Sequence, residues 1–192
     1  MVSPLRGAAL FGILDKVAAL RIEVFRAYPY LYEGDVAYEK DYLSDFASAP
    51  GAIVVGAFEG ERLVGAATGA AMSGQHAEFQ QPFLERGDDL DTLFYCGESV
   101  LLPKFRGRGI GHAFFDYREQ QARSLGATQS CFCAVVRPPV HPLRPPEYRP
   151  LDPFWRKRGY KPLPGTTATF SWREIGQEEE SNHEMQFWGR SL

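Results

Sequence analysis

The chain has 192 residues, of which 44% are hydrophobic, and its formal net charge is −3. This length suits a single domain, residues 1–192, that buries about 70% of the surface its unfolded chain would expose. The charge provides no field that would draw the protein to nucleic acid or anionic lipid, and no apolar run reaches the roughly 18 residues of a membrane span. The N-terminus also lacks the plan of a signal peptide, so we expect a cytoplasmic protein with neither a nucleic acid nor a membrane as partner.

The cysteines and histidines indicate neither a disulfide nor a metal site. Cys96, Cys131 and Cys133 are odd in number and lie in apolar, strand-like runs, which favours reduced thiols in the core. The four histidines are scattered, and none pairs with a cysteine at zinc-site spacing. We therefore expect no metal.

Two helices are predicted in the first quarter of the chain. Apolar residues from Phe11 to Phe25 mostly follow a helical period, which predicts the first helix. The second runs from Asp35, a residue type that caps helix N-termini, to Phe46. The residues before Phe11 make a poor strand, because proline and glycine interrupt them.

The remainder of the chain alternates strands and helices. An antiparallel hairpin is predicted where residues 52–58 and 62–70 flank Glu59-Gly60-Glu61. The other predicted elements, in chain order, are a short helix at 82–86, a strand at 99–102, a long helix ending near 125, a strand at 130–136, a helix at 151–158, and strands at 167–172 and 184–188. This order predicts a mixed α/β domain of α+β character, with a long proline-rich loop at 137–150.

A glycine-rich turn, residues 106–111, joins the predicted strand 99–102 to the long helix. Its three glycines let the backbone approach a ligand closely and turn its N–H groups toward one point. The helix adds its unpaired first N–H groups and the positive end of its dipole. With two arginines, the turn predicts a cradle for a pyrophosphate; the alternative is an ordinary turn with solvated arginines.

The spacing of the turn separates it from two common phosphate motifs. A dinucleotide fingerprint that began at Gly107 would need glycine where His112 stands, and the chain has no Gly-Lys-Ser/Thr of a P-loop. What does occur is Arg-x-x-Gly-x-Gly, as Arg106, Gly109 and Gly111, after the Pro-x-aromatic step Pro103-Lys104-Phe105. In this motif the chain resembles the GNAT superfamily of acyl-CoA-dependent N-acyltransferases.

The resemblance implies a fold and a cofactor. The expected fold is a single GNAT-type domain whose central, mostly antiparallel sheet has splayed parallel strands and helices on both faces, with a first strand before the first helix. The expected acyl donor is acetyl-CoA. By resemblance, its pantetheine pairs with the end of the central strand and its pyrophosphate binds backbone N–H groups of the turn. The residues assigned to the cofactor are Ser99, Val100, Leu101, Arg106, Gly107, Arg108, Gly109, Ile110, Gly111 and His112.

Acetyl transfer to an amine needs a base, because an ammonium has no lone pair with which to attack. Glu98 is the leading candidate, since it stands just before the pantetheine segment in an otherwise apolar strand. The alternative role for Glu98 is to anchor a neighbouring group. Tyr95 is a secondary candidate in the same region.

The usual acid for the departing thiolate is missing from its expected place. The family pattern there is aromatic-Tyr-x-Lys-x-Gly-aromatic, and this chain has Trp155 where the tyrosine would fall. An indole has no proton to transfer at neutral pH. Tyr148 in the proline-rich loop is a weaker candidate for an acid, and the alternative for it is a solvated loop residue.

The acceptor is expected at the loop between the first two helices, which holds Tyr28, Tyr30, Tyr32 and Glu33. Aromatic walls with a carboxylate suit an amine on an apolar body. The alternative is that some of these tyrosines cover the core.

The function predicted from the sequence is therefore that of an N-acetyltransferase acting on a small-molecule or peptide amine. A CoA-binding sensor or interaction module with little turnover is the alternative. Aromatic edge strands such as residues 185–188 favour a homodimer.

Overall fold

Seven strands and six helices make up the computed structural model, which describes residues 1–192. The strands are β1 (Val2–Leu5), β2 (Ile53–Glu59), β3 (Arg62–Ala71), β4 (Leu93–Leu101), β5 (Gln129–Val135), β6 (Lys161–Arg173) and β7 (Glu180–Ser191). The helices are α1 (Gly7–Phe11), α2 (Leu14–Phe25), α3 (Val36–Ser48), α4 (Ala77–Glu85), α5 (Ile110–Ser124) and α6 (Asp152–Lys157). Short 3-10 turns occupy Met72–Gly74, Leu90–Thr92 and Pro103–Phe105. No helix combines the length and the apolar composition needed to cross a membrane.

All seven strands belong to one sheet, in the order β1-β2-β3-β4-β5-β7-β6. Neighbouring strands run antiparallel except β4 and β5, which are parallel. The predicted fold class, a mostly antiparallel sheet with one parallel pair, is confirmed.

The parallel strands β4 and β5 separate after a short pairing. Their register covers three residue pairs and ends at Tyr95 opposite Cys131. Beyond that point β4 continues to Leu101 and keeps pairing with β3, while β5 continues to pair with β7. The edge of β4 that faces β5 therefore has no strand partner from residue 96 onward.

A β-bulge lies where β4 leaves β5. The register between β3 and β4 shifts so that Gly97 and Glu98 together stand opposite Thr68. A Cβ at Gly97 would lie 2.4 Å from Thr68 Oγ1, so this position requires glycine. Such a bulge bends a strand and re-aims its side chains. Here it turns the Glu98 side chain toward α2.

Helices cover both faces of the sheet at this point. The Glu98 carboxylate contacts Arg21 of α2, whereas the hydroxyl of its neighbour Ser99 accepts a hydrogen bond from Arg118 of α5. Consecutive side chains of a strand point to opposite faces, so α2 and α5 lie on opposite sides of β4.

The N-terminal segment differs from the expectation based on its composition. Residues 2–5 form strand β1, which pairs antiparallel with β2 in spite of Pro4. Proline is tolerated there because β1 is an edge strand of the sheet, where one N–H has no partner to lose. The first helix, predicted from Phe11 to Phe25, begins at Leu14 as α2, and a separate short helix, α1, occupies Gly7–Phe11 before it.

Several other boundaries were wrong, while the elements themselves were confirmed. Strand β4 begins at Leu93, six residues before the predicted start, and α4 begins five residues early, at Ala77. Residues 185–188 are not an edge strand, because β7 pairs with β5 on one side and β6 on the other. The argument for a homodimer that rested on that edge therefore no longer applies.

Candidate active site

The turn between β4 and α5 has the geometry of an anion cradle. Gly107 and Gly109 adopt φ values of +73° and +79°, which side-chain-bearing residues rarely adopt. Gly109 is the N-cap of α5, and no side chain caps the helix. The backbone N–H groups of residues 107–111 donate no hydrogen bond within the protein, whereas His112 already donates to the Gly109 carbonyl. Five consecutive donors are thus free at the positive end of α5.

The charged side chains of this turn lie at the surface around these donors. Arg106 Nε approaches the Leu101 carbonyl oxygen at 3.4 Å, and the Arg108 guanidinium lies 5.2 Å from the centre of the Phe105 ring. His112 is exposed and packs edge-on against Phe154 with ring centres 4.9 Å apart. These contacts leave both arginines available to an anion.

The end of β4 offers an open strand edge beside the cradle. Ser99, Val100 and Leu101 pair with β3 on one side only. Val100 is buried in the core, Leu101 is half-buried, and the Ser99 hydroxyl binds Arg118 at 2.9 Å. Their remaining main-chain groups face the gap between β4 and β5, where an extended chain of amides would add like another strand.

Glu98 is buried at the bulge with one carboxylate oxygen bound and the other free. Its Oε2 lies 2.5 Å from Arg21 Nη1. Its Oε1 is buried and accepts no hydrogen bond. An unpartnered buried carboxylate oxygen is costly, so it marks a site at which a donor is expected to bind.

Arg21 links Glu98 to a second buried carboxylate. Its Nε donates to Glu39 Oε2, and its plane lies over the Tyr42 ring, 4.6 Å from the centre. Burial alone would lower the pKa of Arg21, but the neighbouring carboxylates, Glu98 foremost, raise it above its ordinary value. Arg21 is therefore charged at physiological pH.

Tyrosines and a thiol surround Glu98. Burial raises the pKa values of Tyr30 and Tyr42, and the nearby Glu98 carboxylate raises both further. Tyr95 is buried and its hydroxyl lies 3.2 Å from Cys133 Sγ. Burial raises the pKa of Cys133 to about 12. All four groups are thus neutral at physiological pH.

The loop predicted to bind the acceptor directs its side chains to different places. Tyr30 lies close to Glu98. Tyr28 packs edge-on against Tyr148, with ring centres 4.7 Å apart. Tyr32 lies beside Glu39, and Glu33 pairs with Arg26 at 2.7 Å. The structure therefore brings Tyr30 to the candidate base, whereas the other three make their contacts with other residues.

Two residues outside the loop hold it in place. Arg137, just after β5, donates to the carbonyl oxygens of Pro29 at 2.6 Å and Tyr30 at 3.0 Å. Trp172 Nε1 donates to the same Tyr30 oxygen at 3.0 Å. Glu174 in turn binds Arg137 at 2.6 Å. These contacts connect the end of β5 to the loop that carries Tyr30.

The two aromatic residues considered for the acid are both packed. Trp155 lies in α6 against Phe132 and Trp188, with ring centres 5.0 Å and 5.1 Å away. Tyr148 is half-buried, and burial raises its pKa. Helix α6 therefore supplies no hydroxyl at the position of Trp155.

Three buried charged residues in contact with Glu98 or with its partner Arg21 were missed by the sequence reasoning. Arg21, Glu39 and Arg118 each occupy a position in the apolar stripe of their helix, four residues from Val17, Leu43 and Phe114 respectively. Charged residues are almost never fully buried unless they are paired. The position of a charged residue within the apolar stripe of a helix is the sequence feature that would have identified these three residues.

Known proteins resemble this chain in fold. No curated protein matches it in sequence. Among solved structures, it superimposes on an acetyltransferase of the GNAT family from Streptococcus pneumoniae, with a TM-score of 0.60, 11% identity and 100% of both chains covered. An aminoglycoside 6'-N-acetyltransferase complexed with coenzyme A gives a TM-score of 0.62 and 15% identity, over 100% of this chain and 96% of the other. The ribosomal-protein-alanine N-acetyltransferase of Brucella melitensis gives 0.62 and 13%, over 99% of each chain.

A family model places the chain directly. The model described as the acetyltransferase (GNAT) family matches residues 17–144, which is more than half of the chain. The match includes most of α2, from residue 17 onward, and all of the bulge, the cradle and β5. On this match, and with a sheet and cradle of the expected form, the chain belongs to the GNAT family of acetyltransferases, whose acyl donor is acetyl-CoA.

Proposed function

We propose that the protein transfers an acetyl group from acetyl-CoA to a primary amine, with Glu98 as the base that removes a proton from the amine. The observation that carries the proposal is the free, buried Oε1 of Glu98. It lies in the same strand whose open edge leads to the cradle. One strand thus presents both a proton acceptor and a binding edge for the donor.

The residues of the cradle fit the donor. The five free N–H groups of residues 107–111, together with Arg106 and Arg108, suit a pyrophosphate. The open edge formed by residues 99–101 suits the amides of pantetheine. When bound there, acetyl-CoA supplies an activated thioester for attack by the amine.

Glu98 performs the proton transfer that the attack requires. Its carboxylate accepts a proton from the bound ammonium through Oε1, which leaves the amine neutral and nucleophilic. Arg21 holds the other oxygen throughout. The amine nitrogen then forms its bond to the acetyl carbon as the carbon–sulfur bond breaks, and the CoA sulfur keeps the bonding electrons.

Direct attack by the amine agrees with the state of the nearby thiol. The Cys133 thiol lies 3.2 Å from the Tyr95 hydroxyl, and a covalent route through it would need a thiolate. With its pKa raised to about 12, this thiol is protonated at physiological pH. An acetylated cysteine is therefore no part of the proposed reaction.

The acceptor is a small-molecule or peptide amine. Tyr30 and Tyr42 beside Glu98 suit an ammonium, because aromatic faces attract cations. The solved relatives include proteins named for an aminoglycoside and for the alanine of a ribosomal protein, so this fold accommodates both kinds of acceptor.

A CoA-binding sensor with little turnover is the second candidate. The packing of Trp155 against Phe132 and Trp188 favours it, because α6 then offers no acid for the departing thiolate. A thiolate also leaves without assistance, because an ordinary thiol, with a pKa of about 8.5, ionises close to neutral pH. Turnover distinguishes the two candidates.

The test is release of free CoA thiol from acetyl-CoA with a panel of amines. The panel holds aliphatic monoamines, aminoglycosides and peptides with a free N-terminus. We expect at least one amine to raise thiol release above the rate without amine, and Glu98→Gln to lower that kcat by about 10²-fold or more while acetyl-CoA still binds. A near-normal rate in Glu98→Gln would remove it from the mechanism.

Calorimetry tests the cradle separately. Acetyl-CoA is titrated into the native protein and into the double variant Arg106→Ala, Gly109→Ala, which we expect not to bind. Unchanged binding would overturn the cradle assignment. Binding in the native protein without acetylation of any amine would favour the sensor.

A further inference from the structure

The buried charges around Glu98 form a chain across three elements. Glu39 comes from the first turn of α3, Arg21 from the middle of α2, and Glu98 from the bulge in β4. Arg21 binds Glu39 through Nε and Nη2, and binds Glu98 through Nη1. The three side chains are 0%, 10% and 6% exposed, in that order.

This arrangement has one positive and two negative charges. Stability alone does not explain this arrangement, because apolar side chains of similar volume generally stabilise a protein at least as much as a buried ion pair does. Its charges are also unbalanced, and one carboxylate oxygen, Glu98 Oε1, has no donor. The surplus negative charge and the free oxygen coincide at Glu98.

Arg21 orients Glu98, and Glu39 orients Arg21. A guanidinium has several donors in a fixed plane, so a carboxylate bound at Nε fixes the direction in which Nη1 points. Glu39 is fully buried in a helix that also packs Leu43 and Phe46 into the core. The position of the Glu98 carboxylate is thus set by a side chain that does not contact it.

We propose that Arg21 and Glu39 are positioning residues that hold Glu98 by Oε2 and leave Oε1 to receive the proton of the acceptor amine. This proposal rests on the function proposed above. It adds two residues to the reaction and explains why one face of a carboxylate remains free in the interior.

The proton balance follows from that geometry. An ammonium acceptor loses two protons before it is an amide. One passes to Oε1 of Glu98 and then to solvent, and the other is lost as the new bond forms, while the CoA sulfur takes up one proton from solvent. Glu98 returns to its carboxylate form, and the contact of Oε2 with Arg21 is kept throughout.

Every titratable group that faces Glu98 bears on the pH dependence. They are Arg21 of α2, Glu39 and Tyr42 of α3, Tyr30 of the preceding loop, Tyr95 of β4 and Cys133 of β5, with Arg118 of α5 at the Glu98 carbonyl. The tyrosines and the thiol are neutral at physiological pH because burial raises their pKa values. The charges that act on the Glu98 carboxylate are therefore those of Arg21, Glu39 and Arg118, of which the first two are nearest to it along the chain of contacts.

Two substitutions are expected to shift the titration of Glu98 in opposite directions. Glu39→Gln keeps a hydrogen-bond acceptor for Arg21 and removes a negative charge, so ionised Glu98 becomes more favourable and the titration moves to lower pH. Arg21→Gln leaves two carboxylates without a cation, so the titration moves to higher pH. The measurement is the carboxyl ¹³C shift of Glu98 in the ligand-free protein, assigned with Glu98→Gln.

The kinetic readout uses the most rapidly acetylated amine of the panel. We expect kcat to fall by about 10²-fold in Arg21→Gln, as for a misplaced catalytic group, while the dissociation constant of acetyl-CoA is unchanged. The acidic limb of the pH profile of kcat/KM is expected to move in the same direction as the NMR titration. Asp15→Asn is the control, because Asp15 forms an exposed ion pair with Lys40, 3.0 Å long, between the same two helices.

The outcomes separate the two proposals. If the Glu98 titration is unmoved in Glu39→Gln and in Arg21→Gln, or if activity falls only in step with the melting temperature, the positioning proposal is overturned. If the titration moves but Glu98→Gln retains its rate, the positioning holds and the assignment of Glu98 as base fails. If Arg21→Gln does not fold, Glu39→Gln alone tests the positioning proposal. The titration of Glu98 in that variant must then move to lower pH.

Discussion

The guanidinium of Arg118 donates to the carbonyl oxygen of Glu98 at 3.2 Å, from the face of the sheet opposite to the Glu98 carboxylate. The same Nη1 donates to the Thr68 carbonyl oxygen at 3.1 Å, across the bulge. Nη2 adds the Ser99 hydroxyl. One side chain thus satisfies the backbone groups that a bulge leaves without ladder partners, and so fixes the point from which Glu98 projects.

Substituting Arg118 is expected to destabilise the protein strongly. Arg118→Met leaves the carbonyls of Thr68 and Glu98 buried without donors, so we expect the free energy of unfolding to fall by about 3 to 5 kcal/mol. The measurement is urea denaturation. Arg123→Met is the control, because Arg123 is exposed in the last turn of the same helix. Equal stability of the two variants would show that the bulge does not depend on Arg118.

The cradle predicts a contrast between the two ends of α5. Gly109 and Gly126 precede and follow the helix, with φ values of +79° and +82°, and a Cβ at either would meet no atom within 4 Å. Alanine at either position is expected to cost about 1 to 2 kcal/mol of stability, because both adopt the left-handed conformation. Only Gly109→Ala is expected to weaken binding of acetyl-CoA, by about tenfold or more, since it turns N–H groups away from the pyrophosphate.

Calorimetric titration of acetyl-CoA measures this contrast directly. Native affinity in both Gly109→Ala and Gly126→Ala would place the pyrophosphate elsewhere. A parallel loss in both variants would show that the effect is one of stability.

Local features of the fold were predictable from the sequence, whereas the contacts that make the site were not. The cradle depends on glycines within six residues of one another, so the spacing of these glycines can be recognised in the sequence. The bulge depends on Gly97 opposite Thr68, some 30 positions away, and on Arg118 from a third element. No local pattern contains those three residues together.

The site residues show the same division. Glu98 was predicted as a candidate because it interrupts an apolar strand. The partners that orient it lie 77 and 59 positions earlier, at Arg21 and Glu39, and each lies within a helix that was predicted. Strand β1 was doubted because Pro4 interrupts it. It forms because an edge strand tolerates proline, and which strand lies at an edge is a property of the whole sheet.

The hydrogen bonds that Arg137 donates to the proposed acceptor loop, residues 28–33, predict a selective kinetic defect. Arg137→Met removes the donors to the Pro29 and Tyr30 carbonyl oxygens, so the loop that places Tyr30 beside Glu98 loses an anchor. We expect KM for the amine to rise by about tenfold, because ordering the loop then opposes binding, while the affinity for acetyl-CoA is unchanged. Arg173→Met, an exposed position on β6, is the control.

A second readout of the same variant comes from His183. Burial and then the charge of Arg137 lower the pKa of His183 below its ordinary value. Removing that charge is expected to raise the His183 pKa, which a ¹H NMR titration of the imidazole measures. If KM rises but the His183 titration is unmoved, the defect arises elsewhere than in this cluster.

Direct attack by the amine predicts that Cys133 is chemically inert and dispensable. Burial raises its thiol pKa from the ordinary 9.0 to about 12, so the thiolate fraction grows tenfold with each pH unit and does not level off near pH 9. The measurement is the rate of alkylation of Cys133 by iodoacetamide, followed by mass spectrometry. We expect this rate to rise with pH without levelling off, and to be about 10³-fold slower at pH 8 than that of a free cysteine. Cys133→Ala is expected to keep kcat within about threefold, because no acyl group passes through the sulfur. A rate that levels off below pH 10, or an acetylated Cys133 trapped with acetyl-CoA alone, would establish a covalent route instead, since the thiol would then ionise in the working range of the protein.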